Sequence, residues 1–289
     1  MKLINIILIR DTIVDHFSVD AYTPKEIAAR IENSGVTKSA GDLSRVFALA
    51  MLAGAFIAFG AVFFTLVTYD SGAMAAGLMR LIGGFVFCLG LVLVVVAGAE
   101  LFTGNNLIVM AYVNGKVTLK QLLFNWGVVY IGNFIGAVGI LLLIYLSGHW
   151  QIGGGAVGAK ALAIANAKVN LTWIEAFTRG ILCNILVCLA VWLCFAGRTV
   201  VDKVLAILFP ITAFVASGFE HSVANMYFIS AGLLAKTQPE LVQLADLASL
   251  ENLTVSGFLF NNLLPVTLGN IIGGSIFVGL FYWYIYLRK

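Results

Sequence analysis

Long apolar stretches and short polar ones alternate along the chain. Uncharged runs cover 46–69, 81–99, 121–148, 180–197, 204–219 and 252–287, and about 20 apolar residues suffice for a bilayer-spanning helix. The pattern predicts six spans. The second and fifth each run past an interruption into a further half-helix. Ahead of the first span, Thr23-Pro24-Lys25-Glu26 reads as a capped helix start, with Thr as N-cap, Pro in the first turn and Glu closing a capping box. The apolar run between Lys2 and Arg10 is too short for a signal peptide and lacks a small-residue cleavage site, so it is expected to stay attached at the interface.

Composition fixes the class. Hydrophobic residues make up 61% of the chain and charged ones 11%, with a mean hydropathy of +1.01, far from the roughly one-quarter charge of a soluble domain. The expectation is an all-α integral membrane protein. A cytosolic N-terminal segment occupies 1–44 and a transmembrane domain 45–289. Lys2, Arg10, Lys25, Arg30, Lys38, Arg45, Lys116, Lys120, Arg198, Lys203, Arg288 and Lys289 fall on one side of the predicted spans, which puts both termini in the cytosol. The net charge of +3 comes with no basic run suited to nucleic acid. Cys88, Cys183, Cys188 and Cys194 all lie in predicted spans without metal-ligand spacing and read as packing residues. Trp126, Trp150, Trp173 and Trp283 fall toward span ends, as an aromatic belt requires.

The chain also repeats itself. Asn125 aligns with Asn262, and Gly132-Asn133-x-x-Gly136 with Gly269-Asn270-x-x-Gly273. Lys38 and Lys168 each precede a span, with Gly54 and Asn184 at the same distance beyond them, and Glu100 and Glu220 each mark the point where an apolar stretch breaks. Repeat one covers about 38–150 and repeat two about 168–289. Three spans per repeat is odd, so the second copy must enter the membrane from the opposite side. In such inverted repeats broken helices meet near the midplane and line the substrate path. Glu100 and Glu220, with their repeat partners Lys38 and Lys168, are expected to form two structural ion pairs that pin the breaks.

Three segments, "AGAELFTG" (97–104), "GILCNILVCLA" (180–190) and "SGFEHSVANM" (217–226), resemble the signature segments of the formate/nitrite transporter family, and the final span with "GRTVVDK" (197–203) looks closest to its formate channel branch. The resemblance implies a homopentamer of aquaporin-like protomers in the cytoplasmic (inner) membrane, each with its own anion pore and with the second and fifth helices broken. It implies a channel or transporter for small monovalent anions, foremost formate, with or without coupled proton movement. Nitrite and hydrosulfide are the alternatives within the family. Carried onto this chain, the pore centre is His221 with Thr103 and Asn184, and the apolar constrictions are Leu91 and Phe102 on one side and Phe214 on the other. Val187 and Phe87 are weaker lining candidates. No cofactor is implied.

Other readings are weaker. A lone His221 could be a satisfied packing group, Thr103 only a helix cap, and Asn184 only an interhelical hydrogen-bond partner. Intramembrane metal hydrolysis wants two histidines and an acid at ligand spacing, and His16 and His149 lie outside the predicted spans. A neutral-solute pore of the water or glycerol type would carry paired Asn-Pro-Ala breaks. The breaks here read "LFTGNN" and "FEHSVANM".

Overall fold

The computed structural model describes residues 21–70, 72 and 74–288. The expected interfacial stretch between Lys2 and Arg10 and the orienting charges Lys2, Arg10 and Lys289 lie outside them. Among the described residues the chain is helical, without strands. The first half holds α1 (Pro24–Ser39), α2 (Leu43–Thr68), α3 (Ala76–Ala97), a short helical stretch α4 (102–113) and α5 (Leu119–Leu146). The second holds α6 (Ala156–Val169), α7 (Trp173–Ala196), α8 (Val200–Ala216), α9 (Ser222–Ala235), α10 (Pro239–Ala245) and α11 (Gly257–Tyr286).

Five of these helices, α2, α3, α5, α7 and α11, are long and apolar enough to cross a membrane. The fifth predicted stretch is α8, which has only 17 residues; the chain continues past a break into the 14-residue α9. Apolar side chains remain outside: Leu146 is 78% and Phe209 76% exposed, a surface that suits acyl chains rather than water. Helix starts carry their own capping. Thr23 with Glu26, Thr118 with Gln121, Thr172 with Glu175 and Thr199 with Asp202 all form capping boxes, each satisfying orphan backbone donors at a helix entry. Only the first of these is read from the sequence, in its Thr23-Pro24-Lys25-Glu26 motif.

The packing repeats as the sequence does. α2 packs on α3 and α5, α7 packs on α8 and α11, and α3 meets α8 where the halves join. In hydrocarbon there is no hydrophobic drive between helices, so close backbone approach through small residues holds them. Gly136 and Gly273, repeat partners, are both such points. A Cβ on Gly136 would lie 1.9 Å from the Met51 carbonyl oxygen, and one on Gly273 2.3 Å from that of Ile181. α11 accommodates its contacts with two wide-turn stretches, Gly257–Leu263 and Ile272–Leu280, the kind of local helix distortion that accompanies close packing and functional sites.

Candidate functional site

Each half contains one helix break, and the two are built alike. α3 ends on Gly98 at φ +81°, α8 runs out at Gly218 at φ +72°, a left-handed turn that glycine enters without Cβ strain. The Ala99 N–H then bonds to the Val94 carbonyl at 2.9 Å, and the Phe219 N–H to that of Phe214 at 3.0 Å. Two residues on, Leu101 and His221 are extended, at φ/ψ of −107°/126° and −111°/114°. Helix resumes at Phe102 and Ser222.

A break at membrane depth frees backbone groups that must find partners. Asn133 and Asn270 supply them. The Phe102 N–H donates to Asn133 Oδ1 and the Ser222 N–H to Asn270 Oδ1, both at 2.9 Å. Asn133 Nδ2 donates to the carbonyls of Glu100 (2.9 Å) and Ala50 (2.8 Å), while Asn270 Nδ2 donates to those of Glu220 (3.0 Å) and Gly180 (2.8 Å). One asparagine per half therefore ties the break to the first helix of its own repeat.

The carboxylates are held just as symmetrically. Lys38 Nζ lies 2.8 Å from Glu100 Oε1 and Lys168 Nζ 2.7 Å from Glu220 Oε1. On the second carboxylate oxygen, Asn105 Nδ2 donates to Glu100 and Asn225 Nδ2 to Glu220, each at 2.7 Å. These amides also reach Asn125 Oδ1 (3.0 Å) and Asn262 Oδ1 (2.7 Å), whose own nitrogens donate to the carbonyls of Lys38 and Lys168. Asn105 and Asn225 were missed from the sequence. An asparagine five residues after each glutamate was the available signal.

Thr103 and His221 meet where the halves join. His221 Nε2 lies 3.0 Å from Thr103 Oγ1, and the Ala224 N–H donates to His221 Nδ1 at 3.1 Å. With Nδ1 engaged as an acceptor, the neutral ring carries its proton on Nε2 and donates to Thr103. That leaves the Thr103 hydroxyl hydrogen for another acceptor. His221 is 3% and Thr103 0% exposed. The Phe214 ring stacks on His221 with centroids 6.0 Å apart, and Phe87 meets Phe214 edge-on at 5.9 Å.

Two cavities approach this contact. One, of about 380 Å³, is lined by Lys38, Leu91, Glu100, Leu101 and Gly104 among others. The second, of about 290 Å³, is lined by Phe87, Lys168, Phe214, Glu220 and His221, with Arg179 also in its wall. His221 lines the second cavity, and Thr103, which lines neither, sits on the chain between Leu101 and Gly104 of the first, so the Thr103–His221 hydrogen bond links the walls of the two cavities. The remaining candidates take other places. Asn184 Nδ2 is engaged with Asn106 Oδ1 (2.7 Å), the Asn270 carbonyl (2.6 Å) and the Thr103 carbonyl (3.3 Å), so it positions Thr103 from behind. Phe102 packs edge-on against Tyr130 at 4.8 Å and Trp126 at 6.2 Å and lines neither cavity. Val187 is buried in the core and also lines neither.

The sequence profile described as "Formate/nitrite transporter" matches residues 25–284. The formate channel FocA of Escherichia coli (strain K12) is 44% identical over 274 residues, covering 93% of this chain and 96% of that protein. A probable formate transporter of Methanothermobacter thermautotrophicus is 40% identical over 286 residues, covering 92% and 98%. A solved structure described as a pentameric formate channel with formate bound is 43% identical with a TM-score of 0.79, covering 85% of this chain and 98% of that one. With its apolar spanning helices, the chain is a multi-pass membrane protein, and it belongs to the formate/nitrite transporter family.

Proposed function

We propose that this protein is a channel for small monovalent anions, formate first, working as a homopentamer in the cytoplasmic membrane with both termini in the cytosol. Each protomer forms its own pore from two inverted three-helix repeats, 38–150 and 168–289, in an aquaporin-like arrangement, with 1–44 as the cytosolic segment. The duplicated break supports the inverted repeat, because the same glycine turn, asparagine clasp and Lys–Glu pair recur around each interruption. The relatives named formate channels support the substrate.

One observation carries the functional reading: the Thr103–His221 hydrogen bond that links the walls of two lysine-bearing cavities. An anion entering either cavity, while still hydrated, meets a paired lysine and glutamate rather than a bare negative charge. To pass the apolar residues Leu91 and Phe102 on one side, or Phe214 on the other, it must shed water, which is costly for a bare charge. The Thr103 hydroxyl then offers a hydrogen bond to the anion, reinforced from behind by His221 Nε2–H and by Asn184 at the Thr103 carbonyl. Glu100 and Glu220 do not repel the anion outright, because each is neutralised by its lysine and by an asparagine amide.

Purified protein in liposomes tests this directly. We expect rapid formate efflux with little water or glycerol permeation. Rapid water or glycerol flux without anion flux would overturn the reading.

A further inference from the structure

The first helices of the two halves differ in charge at two repeat-related positions, Arg45 against Glu175 and Leu49 against Arg179, and of these four residues only Arg179 lines either cavity. The Glu100 N–H donates to the Leu49 carbonyl and the Glu220 N–H to the Arg179 carbonyl, both at 3.2 Å. Leu49 and Arg179 are therefore equivalent positions, both partly buried, and their backbones do the same work. Their side chains do not. The first cavity carries one cation and one anion, Lys38 and Glu100, paired at 2.8 Å. The second carries the matching pair, Lys168 and Glu220 at 2.7 Å, and Arg179 besides. Arg179 is only loosely held: its Nη2 is 3.6 Å from Glu175 Oε1, and the two side chains are 40% and 47% exposed. An exposed pair at that distance binds weakly, so it leaves the guanidinium free to act on a passing anion. Nothing in the break requires an arginine there, since leucine serves in the first half.

We infer that Arg179 is a rate-determining attractor for anions at the His221-side mouth, giving that cavity a positive bias which the Lys38-side cavity lacks. The inference rests on the reading of the chain as an anion channel. A fixed cation at the rim of a narrow, low-dielectric cleft raises the local anion concentration, and mobile ions screen that effect. The anion is held by charge and by the planar fork of N–H donors, which suits a two-oxygen carboxylate. The Thr103–His221 contact lies deeper and is a separate step.

The experiment is tracer formate exchange at equal low formate on both sides, through protein reconstituted in one orientation in neutral lipid. Impermeant salt is added to one face at a time, from about 10 mM to about 300 mM ionic strength, with sucrose balancing the other face; the screening length then falls from about 30 Å to below about 8 Å. Salt on the His221 side should slow exchange about two- to fivefold, and salt on the Lys38 side distinctly less. Arg179→Leu, which copies the first half, should slow exchange at low salt and reduce the sensitivity of the His221 side to that of the opposite side. Arg179→Lys should retain most of it. Equal salt sensitivity of the two faces in the unaltered protein would overturn the inference, as would unchanged sensitivity in Arg179→Leu. Equal, salt-independent impairment by the Leu and Lys variants would assign Arg179 a structural role instead. Absence of any formate exchange in the unaltered protein would overturn the functional reading itself, and this inference with it.

Discussion

In the proposed pore the Thr103 hydroxyl receives a hydrogen from His221 Nε2, 3.0 Å away, while the Ala224 N–H donates to the other ring nitrogen, Nδ1. The arrangement makes Thr103 the donor to an anion and His221 the group that orients it. A hydrogen bond to a charged partner contributes about 1.5–3 kcal/mol, and each 1.36 kcal/mol on a barrier is about tenfold in rate. Thr103→Val keeps the shape and removes the hydroxyl, so formate flux should fall about ten- to a hundredfold, whereas Thr103→Ser should stay near the starting rate. Stopped-flow efflux from liposomes measures both, and a Val variant that conducts normally would remove Thr103 from the path. The His221 position was legible because an ionisable group in an apolar segment is costly. Its partner came through the family resemblance, since a threonine at a helix start carries no signal of its own. Asn184 is placed at the pore centre by the family resemblance, while as a lone polar group on a spanning helix it reads as an interhelical hydrogen-bond partner; its amide nitrogen is engaged by three acceptors from two other segments.

At the scale of elements, each break survives because its loose ends are tied to helices distant in sequence. Glu220 is 4% exposed, and its carboxylate is shared by Lys168, Asn225 and Asn262. Removing one partner of a buried pair leaves the other charge uncompensated, at a cost of about 3–5 kcal/mol. Glu220→Gln and Lys168→Met should therefore each lower thermal stability in detergent, and the double variant should lose distinctly less than the sum. Strict additivity across the four proteins would show that the two side chains act independently. The pairing was legible in the sequence because charges that recur at repeat-related positions in apolar surroundings have few partners to choose from. The amide clasps were not, because their geometry depends on how far α5 and α11 approach the breaks. That approach is set by glycines such as Gly136 and Gly273. The uncharged run covers 204–219, whereas α8 starts on its capping box at Val200 and the glycine turn at Gly218 ends it at Ala216.

For the molecule as a whole, the proposed pore sets what can pass through the two cavities and the wall that would separate them. The proposed path asks an ion to give up hydration beside Leu91, Phe102 and Phe214 and accept a few directed donors in return, so the deciding quantity is desolvation cost against donors regained. Formate and nitrite carry one charge and two acceptor oxygens and occupy little volume. Acetate adds a methyl group and lactate more, which must fit against Phe214 where it already stacks on His221 at 6.0 Å. A doubly charged sulfate faces a steeper penalty, because the cost of moving an ion into low dielectric rises with the square of its charge. The proposed path would oppose water too, since a continuous file would have to cross the apolar residues with few hydrogen-bonding groups to replace those it leaves. Permeation should therefore fall in the order formate, nitrite, acetate, lactate, with sulfate excluded. A flux panel on one liposome preparation, with hydrosulfide and water included, measures the whole series under a common driving force. Fast nitrite or hydrosulfide beside negligible formate would assign the chain a different main substrate within its family, while ready passage of sulfate would mean that no dehydrating partition exists.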